Sequence, residues 1–289
     1  MKKILILGSA GMLGHVVLKY FQKINTYEIF DSSYPNKFRD ESYVIDVLNR
    51  NEITNLLEKI SPDIVINCIG VLIKGSSSDP ANAIYINSYL PHYISKVIKK
   101  WGGKLIHIST DCVFSGEQGG YSEFDFKNAD NVYGRSKSLG EVINDYDLTI
   151  RTSIIGPELK TSGEGLFHWL LNQEGDIFGF SRVFWSGVTT LELARTIHYA
   201  INQNINGIIN LPSKQKISKY ELLVILKEVF DLKNINIIPN SDKKEDKSLV
   251  SLRKDFDFEV KDYNSMLLDL HDFTSLNADL YKHYNIIKI

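Results

Sequence analysis

Tyr133 and Lys137 stand four residues apart in Val132-Tyr-Gly-Arg-Ser-Lys-Ser138. Residues at that spacing share one face of a helix, so a phenol and an ammonium would project side by side. A neighbouring cation favours the phenolate, which predicts a Tyr133 pKa lowered toward neutrality and a usable acid or base. Far upstream, Gly8-Ser-Ala-Gly11-Met12-Leu13-Gly14 closes a short apolar run and opens a helical pattern. Glycines in such a turn let backbone N–H groups approach a pyrophosphate at the helix N-terminus. The spacing is G-x-x-G-x-x-G rather than the tighter G-x-G-x-x-G. A dinucleotide cradle joined to a tuned proton donor predicts an oxidoreductase.

These groups need a scaffold. Short β-like runs alternate with helical patterns through the first half, the signature of a parallel sheet with crossover helices. Strands are predicted at 3–7, 27–31, 43–46, 63–67, 104–109 and 148–151, with helices at 11–24, 49–60, 81–101 and 131–146. Pro91 falls inside the long helix and predicts a kink. After Arg151 the rhythm changes. A short amphipathic segment covers 166–171, a strand 175–180, helices 189–202 and 218–230, and a further sheet strand 207–211. The charge run 242–247 reads as a solvated loop, and a helix is expected near 265–284. The fold class is therefore α/β: a Rossmann-type doubly wound parallel sheet with a smaller C-terminal α/β substrate domain. The first unit covers 1–155, completed by about 187–211; the second covers 156–186 and 212–289. Ligands in such folds lodge where the strand order reverses.

For the cofactor, Gly8, Gly11, Met12, Leu13 and Gly14 form the expected cradle. Asp31, 17 residues beyond Gly14, ends the second strand where a carboxylate can bind the adenine ribose hydroxyls, which favours NAD(H). Ser32, Ser33, Lys37 and Arg39 follow it and offer a place for the extra phosphate of NADP(H). Asp46 is expected near the adenine or, equally, as a turn residue. Cys68, Ile69 and Gly70 close the fourth strand and would line the cofactor. At the reacting end, Ser109-Thr110-Asp111 closes the fifth strand; the Thr110 hydroxyl can donate to a carbonyl oxygen while Tyr133 supplies its proton.

On these residues the chain resembles the extended short-chain dehydrogenase/reductase superfamily, and within it the dTDP-4-dehydrorhamnose reductase group. The resemblance rests on the three glycines, Ser109-Thr110-Asp111-Cys112-Val113-Phe114, Tyr133-Gly-x-Ser-Lys137 with Gly140-Glu141, and Arg151-Thr152-Ser153. It covers the first ~155 residues well and the segment around Gly187-Val-Thr189 more loosely. It implies Thr110, Tyr133 and Lys137 as the catalytic triad, with hydride delivery from NAD(P)H to the C4 ketone of a nucleotide sugar. Thr110, Asp111, Cys112, Val113 and Ile154 are the expected substrate contacts; Trp169, Trp185 and Phe184 are candidates either to stack on a nucleotide base or to fill the core, and Arg253, which follows a polar loop, is the preferred diphosphate clamp over Arg151 and Arg182. Asn87 is a candidate for a proton relay or for helix packing. Three departures stand out: Cys112 and Ile154 replace aromatics, and a proline is missing near Val188. They free volume beside the sugar and leave open another deoxysugar, a UDP-2-acetamido-2,6-dideoxy-hexos-4-ulose among them.

Two rivals remain. An epimerase–reductase resembling GDP-fucose synthase would use Cys112 as acid/base and need a second acid, His168. A non-catalytic, cofactor-binding subunit resembling the methionine adenosyltransferase β subunit would share the scaffold and grip a partner. A 4,6-dehydratase is disfavoured because Cys112 stands where that group resembles Thr-Asp-Glu.

Bulk composition narrows the field further. The chain has 289 residues, 43% apolar and 24% charged, with a net charge of −2, so no basic footprint predicts nucleic acid or an anionic membrane as partner. No stretch approaches ~20 apolar residues. Cys68 and Cys112 are the only cysteines and fit a reduced, cytoplasmic setting. The seven histidines show no paired spacing, and no metal is expected. A nucleotide-sugar substrate and a homodimer are the expected partners.

Overall fold

The computed structural model describes residues 1–284; residues 285–289, the end of the expected substrate domain, lie outside the described residues. Its centre is a seven-stranded, all-parallel sheet in the order β10-β6-β5-β4-β1-β2-β3. These strands are β1 (Lys2–Leu7), β2 (Tyr27–Ser33), β3 (Tyr43–Val44), β4 (Ile64–Asn67), β5 (Lys104–Thr110), β6 (Leu148–Thr152) and β10 (Gly207–Asn210). The order reverses between β1 and β4, as in a doubly wound Rossmann sheet. The continuous apolar runs explain the double burial. Along β1, Ile4 and Ile6 enter one core while Leu5 and Leu7 enter the other. Ile64 and Ile66 oppose Val65 in β4 in the same way.

Helices α1 (Gly14–Gln22) and α8 (Thr190–Asn202) cover the first face; α2 (Arg50–Ile60) and α5 (Leu90–Ile98) cover the second. Their starts follow the capping residues: Asn49 for α2, Thr189 for α8, and Asn131 for α6 (Val132–Leu139). The helix expected over 81–101 is divided. Two short helices, α3 (Ile73–Ser78) and α4 (Pro80–Ala83), lead into a π-helical segment, Ile84–Tyr89, which runs directly into α5. Pro91 is the cause: it has no N–H to offer the Asn87 carbonyl four residues back, so the helix widens by one residue there.

A second, three-stranded sheet has the order β11-β8-β12, from β8 (Gly175–Trp185), β11 (Ile217–Ser218) and β12 (Ile235–Asp246). Helix α7 (Leu166–Leu171) precedes β8, and α9 (Lys219–Val229) packs on it behind a capping box formed by Ser218 and Glu221. Gly179 allows this approach, since a Cβ there would sit 2.9 Å from the Tyr220 Cα. A two-stranded pair, β7 (Ile154–Ile155) with β9 (Val188–Thr189), stitches the two sheets, and α10 (Tyr263–Leu276) packs on α8 and α9. The charge run 242–247 is not a loop. Its first five residues belong to β12, an edge strand paired with β8 through a register shift between Asn240 and Lys244. Polar residues on a bulged edge strand face water, which makes the segment read as loop from composition.

Candidate active site

The carboxyl edge of the large sheet collects the residues singled out above. Gly8 ends β1 with φ +83, and a Cβ on Gly14 would lie 2.0 Å from the Gly8 carbonyl oxygen. The turn therefore closes tightly enough to aim the head of α1 outward. The Gly8 and Ser9 N–H groups donate to the Ser32 carbonyl, at 2.9 Å each, and Gly11 N–H donates to Gly8 O. Met12 and Leu13 have no acceptor for their N–H groups among the described residues. Two outward donors at a helix head suit a pyrophosphate. Ile69 closes the neighbouring side, its Cγ1 2.9 Å from where a Gly8 Cβ would be, and Cys68 N–H donates to Leu7 O. Gly70 follows at the exposed rim.

Asp31 departs from its expected role. Fully buried, it accepts from Ser9 Oγ (2.5 Å) and Ser42 Oγ (2.6 Å) on Oδ2 and from Arg39 Nε (2.6 Å) on Oδ1. Its lone pairs are committed to holding the β1 turn and the segment after β2, not to a ribose. The guanidinium of Arg39 is thereby fixed beside that edge, so the side chain marked as a possible phosphate partner is the accessible member of the pair. Asp46 closes a turn into α2, accepting from Leu48 N–H at 3.0 Å.

Two strands along, about 10 Å by strand spacing, lies the reacting end. The Thr110 hydroxyl accepts from Cys112 N–H and donates to Asp111 Oδ1, both at 3.1 Å. Asn131 caps α6 through Gly134 N–H (2.8 Å). Gly134 carries no Cβ because one would lie 2.2 Å from the Cys112 carbonyl oxygen; this bare contact presses the turn bearing Tyr133 onto the turn bearing Thr110. Gly140 does the same further along, against the Asn87 carbonyl. Asn87 itself joins Val71 and Ser136 by side-chain hydrogen bonds of 2.9 to 3.1 Å, so its observed contacts are those of packing.

Lys137 donates to the Ile108 carbonyl (2.6 Å) and lies 3.4 Å from His107 Nε2. Burial lowers its pKa to about 8, against the pull of Glu141 and Cys68. Tyr133 is correspondingly not acidified. Burial raises its pKa, the nearby Cys112 adds to this, and only the Thr110 hydroxyl pulls it down. The expected lowering fails because the Lys137 amine is turned to β5 rather than to the phenol. At neutral pH Tyr133 is therefore a protonated donor. His107 is fully buried and held neutral; a lone histidine inside a buried strand is the only sign of it in the sequence.

Behind these groups Glu141 anchors the strand ends. Arg151 grips it with Nε (2.6 Å) and Nη2 (2.8 Å), Lys127 adds 2.8 Å, and Ser109 donates at 2.8 Å. Burial would raise the Glu141 pKa, but Arg151 and then Lys127 hold it below the usual carboxylate range. Arg151 is thus a structural ion-pair member.

A cleft of about 190 Å³ adjoins this centre. Asp111, Cys112, Ile154 and Trp185 line it, with Lys219 and Lys247 from the second sheet side. Lys219, Glu245 and Lys247 were missed, because nothing local ties them to residues a hundred positions earlier. Val113 points away, fully buried with Phe114, Tyr121 and Leu249. Burial, then Asp111, pushes the Cys112 thiol up to about 12. His168 bonds the Tyr284 hydroxyl (2.9 Å) and lines no part of this cleft. Phe184 lines the cleft, Trp169 lies outside it, and Arg182 is exposed on β8. Arg253 is on the wrong edge altogether: its Nη1 donates to Asn206 O and Ile208 O, at the start of β10, and it pairs with Asp255. Among the described residues no cluster of His, Cys, Asp or Glu is arranged for a metal, and no helix is long and apolar enough to cross a membrane.

Comparison with known proteins supplies the family and the fold. The model of the RmlD substrate binding domain matches residues 1–243. The chain belongs to that family. A dTDP-4-dehydrorhamnose reductase structure from Bacillus anthracis, in complex with NADP, superposes with a TM-score of 0.80 at 21% identity, over 95% of this chain and 100% of that one. A hypothetical dTDP-4-dehydrorhamnose reductase from Sulfolobus tokodaii reaches 0.76 at 27% identity, over 92% and 99%. The methionine adenosyltransferase 2 subunit beta of Danio rerio is 26% identical over 263 residues, 84% of this chain and 78% of that protein. The Rossmann-type α/β fold expected from the strand–helix alternation is the one observed.

Proposed function

We propose that this family member is an NAD(P)H-dependent oxidoreductase that reduces the C4 ketone of a 6-deoxy-4-keto nucleotide sugar in the cytoplasm, for surface-polysaccharide synthesis. The observation that carries the reading is the joint placement of Thr110, Tyr133 and Lys137 at the carboxyl end of β5, two strands from an open helix head on β1. The dinucleotide, held by Met12 and Leu13 N–H groups with Ile69 and Gly70 beside them, would supply the hydride. The chain's own residues handle the proton. Thr110 polarises the ketone oxygen, and Tyr133, kept protonated by burial, gives its proton to the oxygen as C4 becomes tetrahedral. Lys137, donating to the Ile108 carbonyl, fixes α6 and its phenol against the end of β5. A phenol with a raised pKa suits the reductive direction, since it starts each turnover as an acid.

The NADP-bound relative supports the cofactor class, and the buried Asp31 with Arg39 beside it removes the ground for preferring NADH. Asp111, Cys112, Ile154 and Trp185 would contact the sugar. The epimerase reading loses its second acid, because His168 is engaged with Tyr284. The non-catalytic reading keeps one observation in its favour, the length over which the Danio rerio subunit aligns.

One assay separates them. The purified protein alone is given dTDP-, UDP- and GDP-linked 4-keto sugars with NADH or NADPH, and product stereochemistry is read by NMR. Oxidation of the reduced cofactor with one sugar is expected. No turnover across the panel, with intact cofactor binding, would leave the subunit reading standing.

A further inference from the structure

A buried polar string runs from the cofactor cradle to the reacting end. Asn67, at the end of β4, and His107 in β5 are ladder partners, so their side chains stand on one face of the sheet. Both are fully buried. Ile69 N–H donates to Asn67 Oδ1 (3.1 Å), Asn67 Nδ2 faces His107 Nδ1 (3.2 Å), and His107 Nε2 faces the Lys137 amine (3.4 Å). The proton transfer from Tyr133 makes no direct use of Asn67 or His107.

The direction of the string is fixed from one end. A backbone N–H can only donate, so the Asn67 oxygen is taken and its amide nitrogen meets the imidazole. That nitrogen is also only a donor, so His107 Nδ1 must accept. Burial keeps His107 neutral, and its one proton therefore sits on Nε2. This N–H points at Lys137. An ammonium has no lone pair to receive it; a free amine has one, and still donates to the Ile108 carbonyl at 2.6 Å. The string is satisfied throughout only when Lys137 is uncharged. The other titratable groups facing the amine are Glu141 on α6, engaged by Arg151 and Lys127, and Cys68 after β4, whose thiol burial pushes up to about 12. Burial already brings Lys137 down to about 8, and a donor facing its nitrogen acts in the same direction.

We propose that Asn67 and His107 are positioning residues for the reaction: the amide fixes the imidazole proton on Nε2, and that N–H holds the Lys137 amine against β5, away from the phenol. This rests on the reading of Tyr133 as the proton donor to a ketone. The arrangement accounts for a lysine four residues from Tyr133 that leaves the phenol protonated: its nitrogen is committed to β5 and carries no charge when the string is complete. It also ties the segment lining the cofactor to the reacting end, since Ile69 holds the first member and Lys137 is the last.

The test is nitrogen-15 NMR of the full chain, labelled at histidine and lysine, across a pH titration. Long-range proton–nitrogen correlations report the His107 tautomer, and lysine side-chain shifts report the Lys137 midpoint. The parent is expected to show Nε2–H at His107 and a Lys137 midpoint at or below about 8. In Asn67→Asp the carboxylate can only accept, from Ile69 N–H and from Nδ1–H, so the tautomer should reverse and Lys137 should titrate about one unit or more higher. Turnover of the 4-keto sugar should move its pH profile by the same amount, which a merely structural contact would not do. A parental Nδ1–H tautomer overturns the proposal, even where Asn67→Asp fails to fold. An unreversed tautomer or an unmoved Lys137 midpoint in folded Asn67→Asp overturns it too, as does a turnover profile that stays put while Lys137 moves. The expected tautomers and midpoints without parental turnover of any 4-keto sugar would instead sink the reductase reading and leave the string in place.

Discussion

The carboxyl edge of the large sheet and the face of the small sheet treat charge in opposite ways. At the large sheet Glu141, Arg151, Lys127 and Asp31 are buried or partly buried and paired, and their partners lie within 8 to 32 residues along the chain. On the small sheet Lys219 makes no ion pair among the described residues, and aromatic rings stand in water. The first region spends its polar groups on holding shape, so that Thr110 and Tyr133 meet without adjustment. The second keeps groups available for something brought from outside. Pre-organised chemistry and open recognition are therefore divided between two sheets.

Arg151→Met should give the largest effect, a loss of about 3–5 kcal/mol in unfolding free energy, because Glu141 would keep a buried charge with only Lys127 to answer it. Denaturant midpoints check this. A loss as small as that of an exposed lysine, within about 0.5 kcal/mol, would erase the contrast between the two regions.

Acid should attack the same edge through His15. Its Nδ1 faces Gly11 O at 2.7 Å, so it must donate there, and Nε2 accepts from the Tyr281 hydroxyl at 2.7 Å. Burial lowers its pKa to about 4 from 6.5. The unfolded chain binds this proton first, so stability should fall as pH drops from 6.5 to 4, by up to about 3 kcal/mol from this group. Melting curves across that window should lose this limb in His15→Gln.

Tyr133→Phe should cut turnover by about two decades or more, equivalent to roughly 2.7 kcal/mol, while cofactor titration stays as in the parent. Parental turnover in this variant would refute the donor assignment. Arg253→Ala marks the bottom of the scale. Lying on the opposite edge, it should leave activity unchanged and alter stability by less than about 1 kcal/mol. Loss of activity there would mean that substrate reaches around β10.

Much of the large sheet was legible before any coordinates. Its strands are short apolar runs, its helix starts carry Asn49, Asn131 and Thr189 as caps, and both signals are local. The ends were less legible: the helix expected over 131–146 stops at Leu139, and the one expected over 265–284 covers Tyr263–Leu276 before a short 3-10 turn. At the site, the glycines, Thr110, Tyr133 and Lys137 were visible as motifs. The reason for a glycine at 134 is not local, since it lies in the Cys112 carbonyl across a loop.

What the amino-acid order determined by itself is whatever acts within one turn or one strand: the double-sided apolar strands, the tight β1–α1 turn, the caps, and two reactive side chains on a common helix face. What only the tertiary structure decided is every question of partner and edge. Pairing with Arg39, Ser9 and Ser42 withdrew Asp31 from its expected role, and parallel register placed Arg253 at the opposite edge. Pairing with β8, some 60 residues earlier, made a strand of a charge run and carried Lys247 to Asp111 and Cys112. Burial, a property of the assembled molecule, set the proton on Tyr133. Local geometry follows from short-range sterics and hydrogen bonds; charge state and accessibility follow from which distant surfaces exclude water together.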